Sequence, residues 1–354
     1  MREDNLEHFV CPSCHRSLSI ESVEEREGDR IKKGFLICST GQHRFPVAGF
    51  MPRFVSTDDA TCAFGFEWNR HPRTQFDSVN GMRLSEDRFF AQTNWPRDLS
   101  GNKILEVGSG AGRFTEIALQ TGATVFSVDA SQAVDANWNN NGHHANLILC
   151  QASLYELPFP QDYFDKVFCF GVLQHTPNVA LAFKKIAQFV RPCGELVVDV
   201  YNKNYWRNFH TPMYLIRPIT KRIPHETLHH WLSRSVPRLL RISTWLRDHV
   251  PFIGRQLGAL IPVANYNGVF PTDSVELLEQ YSILDTFDTL SPKYISPQRP
   301  DTVRQWFINA GYQDIEFDTA TVFYMRGRRK LAKNTTDIPW RSDSLQRDTE
   351  AAAF

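Results

Sequence analysis

The chain has 354 residues, 42% of them hydrophobic and 12% aromatic, enough for one large domain plus a smaller one. Its formal net charge is zero, which removes the broad positive field of a general nucleic-acid binder, and no run of about 18 apolar residues marks a membrane span. The polar start Met1-Arg2-Glu3-Asp4-Asn5 resembles neither a signal nor a transit peptide, and seven cysteines, an odd number, favour a reducing, cytoplasmic setting over a disulfide scaffold.

Residues 1–56 read as a small head. Cys11-Pro12-Ser13-Cys14 is half of a zinc knuckle, and Cys38 with His43 supplies the other half. Zinc takes about four N/S ligands in a tetrahedron, and a pair separated by two residues closes one edge of it. A segment this short buries too little to be stable alone, so a structural zinc supplies what the core lacks. The alternative is a ribbon that keeps its shape with an empty site. Between the two ligand pairs lie 23 residues, including the charged run Glu21 to Lys33.

Residues 57–100 form a lead-in with Phe64-Gly65-Phe66-Glu67-Trp68 and a helical stretch around Leu84 to Phe90. Trp68, Arg70 and Phe76 are lid candidates, or else pack on a sheet edge.

Residues 101–201 carry the densest pattern. Lys103-Ile104-Leu105-Glu106-Val107-Gly108-Ser109-Gly110-Ala111-Gly112-Arg113-Phe114 reads as strand, glycine turn and helix start. A dinucleotide fingerprint would place its third glycine where Arg113 stands. Glu106 would repel a pyrophosphate by roughly 4 kcal/mol at about 4 Å and an effective dielectric of about 20, and would welcome an ammonium group. Ala123 to Ser131 is an apolar strand ending in Asp129, about 20 residues after the loop, where an acid can hold ribose hydroxyls. Leu147 to Ser153, Leu157-Pro158-Phe159-Pro160, Phe164 to Thr176, the helix-like run Leu181 to Val190, and the strand Leu196 to Tyr201 follow in order.

In that order these segments resemble the successive motifs of class I S-adenosylmethionine (SAM)-dependent methyltransferases acting on small molecules. The resemblance implies an α/β, Rossmann-like, doubly wound seven-stranded sheet built here from five strand–helix units. It assigns SAM to Glu106, Gly108, Ser109, Gly110, Gly112, Asp129, Ala130, Ser153, Leu154 and Gly171, with Ser153 standing where many members carry an acid. The head is similar to zinc-ribbon heads of some ribosomal-RNA guanine methyltransferases and to a small activator subunit of tRNA and protein methyltransferases.

Residues 202–300 form a helical insertion over the substrate. Arg217, Lys221, Arg222, Arg234, Arg238 and Arg241 are among its basic residues, opposed between 203 and 255 only by Glu226 and Asp248. Trp206, Trp231 and Trp245 are interleaved. Such a pattern fits either a membrane-surface or polyanion-binding element or a helical cap with solvated arginines. Leu284 to Tyr294 reads as acidic and turn-rich, with Asp285, Asp288 and Tyr294 candidates for orienting substrate. Residues 301–330 give a last helix over Thr302 to Ala310, with Asp301 as N-cap and Gly311 as stop, and a closing hairpin. Residues 331–354 read as a mobile tail.

Methyl transfer from a sulfonium is an in-line displacement, so positioning carries most of the catalysis. His175, after the fourth strand, is the candidate base, or else a structural feature of its turn; Tyr201 is the next candidate. The leading expectation is a methyltransferase for a small or biosynthetic acceptor, lipid- or sugar-linked in one version. RNA methylation and a non-catalytic SAM-binding scaffold are the alternatives.

Overall fold

The computed structural model describes residues 1–55, 61–204, 211–320 and 322–331. Trp206 of the basic segment and the expected tail beyond Leu331 lie outside the described residues. The head is a four-stranded antiparallel sheet: β1 (Leu18–Glu27), β2 (Arg30–Cys38), β3 (Arg44–Ala48) and β4 (Met51–Pro52), in that order. The lead-in gives α1 (Cys62–Arg70), α2 (Asp77–Asn80) and α3 (Leu84–Thr93).

The main sheet then builds through β5 (Lys103–Val107), α4 (Arg113–Gln120), β6 (Thr124–Asp129), α5 (Ala133–Asn141), β7 (Leu147–Gln151), β8 (Phe164–Cys169), α6 (Val179–Ala187) and β9 (Val190–Tyr201). The insertion supplies α7 (Thr211–Thr220), α8 (His225–His249), α9 (Gly254–Ala259) and α10 (Val275–Leu290). The chain returns through α11 (Pro300–Asn309), β10 (Tyr312–Phe317) and β11 (Val322–Arg329).

Seven strands lie in the order β10-β11-β9-β8-β5-β6-β7, with β5 to β9 mutually parallel and β11 antiparallel to both neighbours. Helices cover both faces, which explains why the strands are apolar at consecutive positions rather than alternately. Ile104 packs with Phe89, Phe114 and Phe168 on one face, and Leu105 with Phe126, Phe159 and Phe164 on the other. Cys150 and Cys169 are fully buried in these strands, where burial pushes both thiols up, as for small hydrophobes.

Four local expectations change. The connection from β7 to β8 holds no helix, because Pro158 and Pro160 interrupt it with turns. β9 starts at Val190, six residues early, with Cys193 in the left-handed region at φ 64°. The last helix starts at Pro300, with proline in its first turn and no side-chain cap bond at Arg299. Leu284 to Leu290 belongs to the 16-residue helix α10, whose Ser274 cap accepts the Leu277 N–H at 3.3 Å, so the acidic run is helical rather than turn-rich.

The head is not separate from the large sheet. Phe9, Leu36 and Phe54 share a buried cluster with Phe126 and Phe159, and Arg53 forms a bridge alongside Gln151 of β7.

Candidate functional site

The carboxyl ends of β5, β6, β8 and β9 open into a cavity of about 820 Å³, roofed by α1 and closed on the far side by α10. Parallel sheets bind ligands at this end because strand order reverses there and loops diverge. Here β5 sits between β6 and β8, which marks the reversal.

The glycine loop builds one wall. The Gly108 N–H donates to Val128 O at 2.7 Å and the Gly110 N–H to Asp129 Oδ2 at 2.8 Å. Gly108 has φ 80°, and a Cβ there would lie 2.2 Å from Val172 Cγ2, so only glycine fits. Asp129 also accepts the Ser131 N–H and hydroxyl, at 2.8 and 2.6 Å. Burial pushes its carboxyl up, and these donors partly oppose that rise.

Gly108, Ser109, Gly110, Asp129, Ala130, Ser153, Leu154 and Gly171 all line this one cavity, as do His175 and Tyr201. Trp68 and Phe76 line it too, whereas Arg70 does not.

Glu106 and Gly112 do not line it. The Glu106 carboxylate, expected to face an ammonium group, turns beneath the loop and accepts the Thr115 and Ser127 hydroxyls, the latter at 2.8 Å. Asn137 donates to Thr115 Oγ1 at 2.9 Å and to Ser127 Oγ at 3.1 Å, and Asn141 donates to Asn137 Oδ1 and to Gly112 O. The carboxylate and Gly112 thus belong to one buried polar network that fixes the loop from below. Burial pushes the Glu106 carboxyl up to about 7.

The opposite wall is acidic and aromatic. Asp285 and Asp288, one turn apart on α10, face the cavity with carboxyls pushed up by burial to about 6. The Tyr266 hydroxyl donates to Asp285, and Tyr201 hydrogen-bonds Asp288. Tyr281 and Arg113 complete this end. Arg88, which also lines the cavity, pairs with fully buried Asp199, which accepts the Gly171 N–H at 2.6 Å. Glu67 is fully buried with neither carboxylate oxygen bonded, and burial holds its carboxyl well above the usual range.

His175 ends a short 3₁₀ turn, Leu173–His175, and its Nδ1–H donates to Tyr294 O at 3.2 Å. Burial brings its imidazole down to about 4, so it is neutral near pH 7. The pair Arg88–Asp199 is absent from the sequence expectations; its signal was a lone charge inside the apolar run Leu196 to Tyr201.

In the head, one ligand atom from each of Cys11, Cys14, Cys38 and His43 lies within 4.8 Å of all the others. Cys11 Sγ and Cys38 Sγ each stand 3.5 Å from His43 Nδ1. Zinc bonds of about 2.0–2.3 Å give tetrahedral edges of roughly 3.3–3.8 Å, so the donor set fits that ion. The long gap between ligand pairs is the β1–β2 hairpin, whose register pairs Leu18 with Cys38 and returns the chain to its start.

Comparison with known proteins matches a family model described as "Methyltransferase domain" to residues 105–198. The ubiquinone biosynthesis O-methyltransferase of Bradyrhizobium diazoefficiens is 27% identical over 189 residues, covering 51% of this chain and 73% of that protein. The protein of the same name from Thiobacillus denitrificans is 31% identical over 140 residues, covering 38% and 57%. Among solved structures, magnesium protoporphyrin IX methyltransferase from Synechocystis aligns with a TM-score of 0.42 at 14% identity, over 77% of this chain and 97% of that one.

Proposed function

We propose that this chain, a class I SAM-dependent methyltransferase with its methyltransferase domain at residues 105–198, methylates a hydroxyl of a small polar acceptor held against α10. One observation carries the reading: a single cavity is lined both by the Gly108–Gly110 loop with Asp129 and by Asp285, Asp288, Tyr201 and Tyr266. Its volume suits small ligands, and an acceptor in the same space as the cofactor needs no distant transfer. The name of the curated relatives, O-methyltransferases of ubiquinone biosynthesis, supports oxygen as the acceptor atom.

The loop suits the cofactor in that Gly108 lets the backbone itself line the cavity beside Val172, where a Cβ would lie 2.2 Å from that side chain. Asp129 would hold the ribose hydroxyls, Ser153 and Leu154 the adenine side, and Gly108 to Gly110 with Gly171 the amino-acid end. SAM supplies an electrophilic methyl on a sulfonium leaving group. The protein's own work is alignment, which alone is worth about 7–11 kcal/mol when reacting atoms sit near 3 Å.

Asp288 is the residue we assign as base for the acceptor hydroxyl. Its carboxyl, at about 6, stands closer to neutral pH than the His175 imidazole at about 4. His175 then orients the Tyr294 segment, and Tyr201 steadies Asp288. In the head, Cys11, Cys14, Cys38 and His43 would hold a structural zinc with no open coordination position. Seven cysteines, an odd number, suit a reducing compartment such as the cytoplasm.

The test is calorimetry with S-adenosylhomocysteine, then transfer of labelled methyl from SAM to a panel of hydroxylated and amino compounds. One saturable cofactor site, weakened by Asp129→Ala, and label on oxygen are expected. Asp288→Asn should lower kcat by about 10²–10⁴-fold while leaving cofactor affinity intact. Absence of cofactor binding, or label found on nitrogen or carbon, would refute the reading.

A further inference from the structure

The insertion buries one face and leaves a second apolar face in water. On α8, Leu228, Leu232 and Val236 pack against Phe287 and Leu290 of α10. Trp231, Arg238, Ile242 and Trp245, spaced seven, four and three residues apart, form a second stripe on the outward side. Trp231 and Trp245 are 55% and 56% exposed, Trp245 stacking on His249 of the same helix, so about half of each residue faces solvent. Past the end of α8, Phe252 is 99% exposed and Ile253 stands beside it, followed by exposed Leu257 and Leu260. Leu215 and Ile219 of α7 are exposed as well.

The charges on this surface are predominantly positive. Lys221, Arg222, Arg234, Arg238 and Arg255 are exposed and have no ion-pair partner among the described residues. Between residues 211 and 260 the acids are Glu226 and Asp248, and Arg247 already pairs with Asp248 at 2.8 Å.

We propose that this face docks on an anionic lipid bilayer. The axis of α8 lies in the membrane plane, Trp231, Trp245 and Phe252 enter the boundary between headgroups and acyl chains, and Arg234, Arg238 and Arg255 meet lipid phosphates. The mixed character selects this occupant. A nucleic acid would satisfy the arginines and leave the aliphatic side chains in water. A second copy of the chain would oppose the same cations to each other. Tryptophan favours the level at which ring and N–H meet different surroundings. The contact is peripheral, since no helix among the described residues is long and apolar enough to cross a membrane. Because Phe287 and Leu290 of α10 meet α8 while Asp285 and Asp288 face the cavity, the bilayer surface would stand about two helix diameters, roughly 20 Å, from those carboxyls. Docking itself does not depend on which acceptor is methylated.

Flotation of the purified full chain with vesicles tests this. Binding is expected to phosphatidylcholine vesicles containing phosphatidylglycerol, not to phosphatidylcholine alone, and should weaken with added salt. Trp245→Ser with Phe252→Ser should abolish flotation, and each of Arg234→Gln, Arg238→Gln and Arg255→Gln should lower partitioning about fivefold. Circular dichroism and S-adenosylhomocysteine affinity should stay as in the parent chain. Failure to float with mixed vesicles while cofactor binding is intact overturns docking alone. Unchanged flotation of the Trp245/Phe252 variant, or preferential capture of a short RNA, overturns it equally.

Discussion

Arg53 of the head grips the core next to the β6–α5 turn: its Nη1 donates to Gln151 Oε1 at 2.9 Å, and its Nη2 meets Asp135 Oδ1 at 2.5 Å. Gln151 in turn donates to Ala130 O at 3.1 Å, one residue beyond Asp129. The head therefore reaches the Asp129 side of the cavity through two side chains.

Arg53→Ala is expected to lower unfolding stability by about 1–3 kcal/mol, toward the low end because Asp135 is partly exposed. Affinity for S-adenosylhomocysteine should fall severalfold. Urea unfolding and calorimetry on the same preparation measure both, and unchanged affinity would uncouple the head from the cavity.

Removing zinc should destabilise the whole chain and not the head alone, since Phe9 and Phe54 share one buried cluster with Phe126 and Phe159. Structural zinc sites are worth on the order of 10 kcal/mol in isolated fingers, and several kcal/mol is the expected loss here. Differential scanning calorimetry with chelator, and with Cys38→Ser, should show one transition moved to lower temperature. A separate early transition would contradict the shared core.

Gly108→Ala should be far more damaging than Gly171→Ala. Both glycines have positive φ, which costs a substituted residue about 1–2 kcal/mol. A Cβ at Gly108 also meets Val172 at 2.2 Å, whereas one at Gly171 meets nothing within 4 Å. Cofactor affinity should drop tenfold or more in the first variant and little in the second, as titration calorimetry would report.

Glu106 gives a pH signature in the ligand-free protein. Its carboxyl is raised from an ordinary 4.5 to about 7, so between those values the folded chain keeps a proton that the unfolded chain has released. Its contribution is complete below about pH 4.5 and is lost as pH climbs through about 7, at up to about 1.4 kcal/mol per unit. Asp285 and Asp288, raised to about 6, act in the same direction. Unfolding free energies measured over that window should decline, and Glu106→Gln should flatten the slope.

Much of the sheet could be read from the chain because its determinants are local: apolar runs, a glycine turn, and an acid at the end of β6. The residues brought to the cavity by Gly108, Asp129 and Ser153 follow from the same register. The inward turn of Glu106 could not be read, because its hydroxyl partners lie 9 and 21 residues away on other elements. Helix α10 was hidden for a different reason. Leu278, Ser282, Thr286 and Leu290 are buried along with Tyr281 and Phe287, so the segment lacks the one-sided pattern that announces a surface helix. The Arg88–Asp199 pair spans 111 residues, and nothing near Arg88 announces its partner.

The β1–β2 hairpin that separates the ligand pairs turns at Gly28 and Asp29, far from the sulfurs and open to solvent on the glycine side. The ladder already carries register shifts at Ile20/Ser22, Val23/Glu25 and Glu25/Arg26, so it takes up odd residues as bulges while its base stays in place. The length of the intervening loop is thus a free variable of this architecture, and fixed-spacing searches for the metal-binding pattern would overlook chains built on the same plan.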